Sequence, residues 1–124
     1  MNVSRTGILL LGIVLVALLV SCTALALTGA KKYKVDLTNI LMKIQDEINN
    51  EGAVSDKSYN KFKSFMAKSE PEFGKKGSYV KAEKVEECLD IARAEPDKAF
   101  YQYQSAKLEI SAVFDMLKTE VAEE

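Results

Sequence analysis

Two cysteines, eighteen carboxylates and no histidine set what chemistry this sequence can do. Histidine is the usual general base near neutral pH and the commonest metal ligand. Its absence removes the Ser-His-Asp and Cys-His arrangements and the helical zinc motif HExxH. The glycines are isolated, and none falls in a GxGxxG or GKS/T phosphate-binding context. The chain is therefore expected to be no enzyme and to use neither metal nor cofactor. Surface charge and the two thiols remain. Glu83, Glu86, Glu87 and Asp90 stand at offsets 0, 3, 4 and 7, which puts them on one helical face. Like charges over two turns repel at low salt, and a basic partner would relieve them. These four are the expected partner-binding residues, with a solvated helix surface as the plainer alternative. Cys88, between Val85 and Leu89, is expected to be a buried small hydrophobe. In an exported chain its alternative is an intermolecular disulfide.

Cys22 has a different setting. A short n-region, Met1 to Thr6 with Arg5, precedes an apolar h-region from Ile8 to Val20, the length of a secretory signal. That run ends in Leu19-Val20-Ser21-Cys22, which resembles the lipobox of bacterial lipoproteins. In that family the cysteine thiol receives a diacylglycerol, the preceding peptide is removed, and the new amino group is acylated, commonly by palmitate. The resemblance implies a signal peptide at 1–21 and a lipidated tether at 22–32, which leaves 33–124 as the binding domain, expected to be helical from its apolar patterning. It also implies membrane attachment through lipid on Cys22, since two or three acyl chains anchor stably where one does not. The competing reading is an uncleaved helix from Gly7 to Ala30, a stretch with no charged residue and long enough to span. Lys31, Lys32 and Lys34 follow it and outnumber Arg5, which opposes export of what comes after.

Charge along the remainder is segregated. Between Lys57 and Lys81 seven lysines face two glutamates, and between residues 83 and 97 six acids face Lys84 and Arg93. The basic segment lacks arginine and any aligned aromatic platform, so no nucleic-acid partner is expected.

The elements that must carry these residues read as helices throughout. Leu37, Ile40, Leu41, Ile44 and Ile48 form one apolar stripe over residues 33–50, and Asn49-Asn50-Glu51-Gly52 is the stop. Ser55 caps a second helix with Tyr59, Phe62, Phe65 and Met66, expected to end before Pro71. PEFGKKGS (71–78) is the one plain loop. A third helix from Ser78 presents Ala82, Val85, Leu89 and Ala92 and breaks at Glu95-Pro96. The last runs from Pro96 to about Ala122, with Ala99, Tyr103, Ala106, Ile110, Val113, Leu117 and Val121 at heptad-like spacing. No strand-like alternation of useful length appears. The expected fold is all-α, a small bundle of three to four helices with a long C-terminal helix of coiled-coil character. Phe100, Tyr101, Leu108, Phe114 and Met116 lie off the heptad line, so one face can serve the core and another a second copy. A homodimer through Tyr103, Ile110, Val113 and Leu117 is one outcome, and a wider monomer core is the other.

The lipobox, the helical domain from Tyr33 and the long terminal stretch FYQYQSAKLEISAVFDMLKTEV (100–121) together resemble the small factor H-binding lipoproteins of oral spirochaetes. That resemblance implies a lipoprotein anchored to the bacterial outer membrane and exposed at the cell surface. It would capture host complement factor H for complement evasion, a virulence function. Factor H is a string of small modules, several with basic faces, to which the acidic residues named above are suited. The alternative is a structural or accessory envelope lipoprotein that self-associates through its C-terminal helix.

Overall fold

The computed structural model describes residues 29–123, with side chains through 120. The signal segment 1–21, Cys22 and the tether up to residue 28 lie outside the described residues, as does all but the end of the Gly7–Ala30 stretch. The chain divides into two compact units between Lys32 and Tyr33. Among the described residues there are four α-helices and no strand: α1 (Gly29–Glu51), α2 (Asp56–Phe73), α3 (Gly77–Ala94) and α4 (Ala99–Glu123), the last entered through a 3-10 turn at Pro96–Lys98. The all-α expectation holds.

α1 forms because an apolar residue recurs every three or four positions. Tyr33, Leu37, Ile40, Leu41, Ile44 and Ile48 are all buried. Gly52 stops it: its φ is +71°, and its N–H reaches the Ile48 carbonyl at 3.0 Å. Only glycine takes that left-handed position without strain, so the helix is capped as the sequence demands. The Ser55 side chain then accepts the Ser58 N–H at 3.2 Å and starts α2. The corner is locked from α1, because buried Glu47 accepts the Ser55 N–H at 2.7 Å and the Ser58 hydroxyl.

α2 does not end before Pro71; it continues to Phe73, and the expected loop shrinks to Gly74–Lys76. Proline forfeits one helical hydrogen bond but its φ suits a helix. What rewards the extra turn is Phe73, whose ring stacks on Tyr33 with centroids 4.3 Å apart. Two further boundaries shift: α1 starts at Gly29, inside the expected tether, and regular helix in the last element starts at Ala99.

Contacts between ends show that successive helices run antiparallel. Tyr33 meets Phe73, the Tyr79 hydroxyl donates to the Met66 carbonyl at 2.8 Å, and Ser78 meets Glu120. α3 and α4 approach most closely along their main chains, as small Ala82, Ala92 and Ala106 at their buried faces permit. Phe62, Leu37, Leu41, Leu89, Ile110 and Val113 fill the centre. This corrects the dimer seam. Tyr103, Ile110, Val113 and Leu117 are buried in the chain's own core, because the heptad stripe of α4 is consumed by its own bundle. No second copy can reach them without opening the fold.

Candidate partner-binding surface

The acidic residues of α3 do not form one open face. Asp90 turns to α2, accepting the Tyr59 hydroxyl at 2.5 Å and the Lys63 ammonium at 3.2 and 3.3 Å. Glu86 lies 3.8 Å from the same ammonium and is half-buried. Burial pushes the Glu86 carboxyl above its ordinary range; Lys63 opposes that, while Asp90 and Glu83 add to it. Burial disfavours the charged form of Lys63, but Asp90 and Glu86 outweigh it and hold its pKa above the ordinary value. The Tyr59 hydroxyl is held protonated first by its bond to Asp90 and then by burial.

Arg93 extends the network. Its guanidinium sits 4.3 Å from the centre of the Tyr59 ring, pairs with Asp56 and donates to the Val54 carbonyl at 3.2 Å. Tyr59, Lys63, Asp90 and Glu86 thus zip α2 to α3. Of the four acids singled out, Glu83 and Glu87 remain exposed, while Glu86 and Asp90 are drawn into this pairing. Sequence spacing missed Lys63 and Tyr59 as partners. The signal available was their own spacing of four on α2, which puts an aromatic and a cation on one side of that helix.

Val80 is also exposed and shares a strip with Glu83 and Glu87, at offsets 0, 3 and 7 along α3. Glu87 has Lys84 at 4.0 Å, a solvent-exposed pair that binds neither side chain firmly. On α2, Lys57, Lys61 and Lys68 are exposed. On α4, Phe100, Tyr101 and Leu108 project outward, whereas Phe114 and Met116 are half-buried.

Cys88 is a free, half-buried thiol packed against the core. Burial raises its pKa, Glu109 and Glu87 raise it further, and Lys84 opposes them. It is held as the neutral thiol, which is a poor nucleophile. Among the described residues no three His, Cys, Asp or Glu side chains gather to hold a metal ion, and no helix is long and apolar enough to cross a membrane. Compared with known proteins, the chain matches no family model, no curated protein and no solved structure.

Proposed function

We propose that this chain is a lipid-anchored binding module of the bacterial surface, attached through Cys22, that captures a host protein. Complement factor H is the partner implied by the resemblance in size, lipobox and helical texture. The observation that carries the reading is the outward strip of Val80, Glu83 and Glu87 on α3. Two carboxylates one turn apart beside an apolar side chain suit a basic protein module, by charge for encounter and by apolar contact for residence. The site is narrower than the four-acid face, since Glu86 and Asp90 already have cationic partners.

Incubating the immobilised full chain with human serum tests this. Factor H should be retained, and the double reversal Glu83→Lys with Glu87→Lys should reduce retention by roughly tenfold or more, since like charges would then meet across the interface. Retention of other serum proteins without factor H would overturn the reading. The second reading, an envelope lipoprotein that associates with itself, is favoured by the exposed apolar side chains of α4. Proteolysis of intact cells separates the two, because a periplasmic domain would survive it.

A further inference from the structure

One strip of α4 is left uncovered. Phe100, Tyr101 and Leu108 are 79%, 71% and 74% exposed, more than any other large apolar side chain described. At 3.6 residues per turn they share one face with Gln104 and Lys107. Together the three present roughly 400 Å² of apolar surface, taking 150–250 Å² for each large side chain. An apolar strip of that size matches the largest patch on a typical single chain, and such patches are often functional.

We infer that α4 pairs antiparallel with α4 of a second copy, about a two-fold axis passing between Gln104 and Ser105. The strip is complementary to itself only in that sense. Tyr101 and Leu108 are equidistant from the axis, so each faces the other residue of the second copy. Lys107 comes beside the opposite Phe100 ring, where an ammonium is attracted to the aromatic face. Gln104 lies near its own counterpart, and amides can bond to each other. A parallel pairing would instead set Lys107 on Lys107, Asp115 on Asp115 and Lys118 on Lys118. The nearby carboxylate of Glu109 does not intrude, because it pairs with Lys81 at 3.1 Å within the bundle. This deepens the self-associating reading but moves it to the face opposite the buried heptad stripe, and it holds whether or not factor H is bound.

The area fixes the strength. About 400 Å² per copy is roughly half the 800 Å² per partner of a standard stable complex. The pair is therefore weak and dissociates on dilution. Copies sharing a membrane plane through the proposed lipid would pair more readily, through higher effective concentration.

Disulfide trapping reads both contact and direction, because only a residue beside a two-fold axis meets its own copy within bonding reach. The full chain carrying Cys88→Ala, purified in detergent over a range of concentrations, gives the baseline, which is nil where lipid occupies the Cys22 sulfur and is whatever Cys22 forms where its thiol is free. Adding Gln104→Cys should yield a covalent dimer whose amount rises with concentration. Asp115→Cys, about 16 Å further along the helix, should stay at the baseline. Adding Leu108→Glu to the Gln104→Cys chain should cut trapping about tenfold by burying a charge at the contact. Equal trapping at both positions, or none at Gln104→Cys, would overturn the inference, and neither result bears on serum retention of factor H.

Discussion

Glu47 is a carboxylate almost wholly removed from water, and its two partners explain why it is tolerated. Burial alone would raise its pKa. The Ser58 hydroxyl, the Ser55 backbone N–H and side chain, and the charge of Lys43 more than reverse this, leaving it below the ordinary carboxylate value. A carboxyl group whose folded pKa is depressed adds stability that is complete above its unfolded pKa, near 4.3, and is lost as pH falls through the folded value. Glu47→Gln keeps the shape and one acceptor but loses the charge. It should cost about 1–2 kcal/mol at pH 7, the scale of a charge-assisted hydrogen bond, and almost nothing at a pH below the depressed folded value, where the native side chain is itself protonated. Urea melts at the two pH values measure this, and an equal deficit at both would show that packing, not charge, is at work. Sequence gave no sign of Glu47, because its partners lie eight and eleven residues ahead across a corner.

At the scale of the helix, the apolar stripes were legible and the ends only partly so. The stripe residues Leu37, Leu41, Ile44, Phe62, Ala82, Val85, Leu89 and Ala106 are all in the core, since 3.6-residue periodicity reports directly on burial. Gly52 and Ser55 were legible because a positive φ and an N-cap are local requirements. Pro71 misled because its penalty is local while its compensation is tertiary: the ring of Phe73 on Tyr33, fitted beside Phe65 at 5.9 Å. The acidic face misled for a related reason. Spacing places Glu83, Glu86, Glu87 and Asp90 on one side of a helix but not which neighbour lies there, and Lys63 of α2 lies there. Phe73→Ala should therefore destabilise by about 2 kcal/mol, less than for a fully buried phenylalanine. Amide exchange should quicken over residues 72–76, as the last turn of α2 loses the contact that holds it past the proline. Unchanged exchange there would mean that the turn persists on backbone terms alone.

For the unit as a whole, closure depends on side chains that meet across long stretches of sequence. Nothing on the Lys76 side chain caps the start of α3. Glu120 of α4 does so instead, accepting the Ser78 N–H and the Ser78 hydroxyl at 2.7 Å each. Because a carboxylate only accepts, Ser78 Oγ spends its proton on Glu120 and must accept from the Tyr33 hydroxyl, 2.8 Å away. Burial pushes the Tyr33 pKa up to about 12, so that proton stays in place through the physiological range. α1, α3 and α4 are thereby joined at the end of the bundle where its chain begins. No sequence pattern announces a cap supplied from 42 residues away, whereas the α4 stripe that delivers Glu120 there was plain. Removing the carboxylate leaves the fully buried Ser78 with an unmatched hydroxyl proton and helix-terminal N–H, its oxygen still accepting from Tyr33. Glu120→Ala should cost about 2–3 kcal/mol, while Glu120→Gln, with one acceptor oxygen left, should cost about half as much. Exchange should accelerate at the end of α4 and the first turn of α3, with the middle of α4, held by Ile110 and Val113, unaffected. If Glu120→Ala melts like the unsubstituted chain, the three helices are held by apolar packing alone and the buried hydrogen-bond chain contributes nothing to closure.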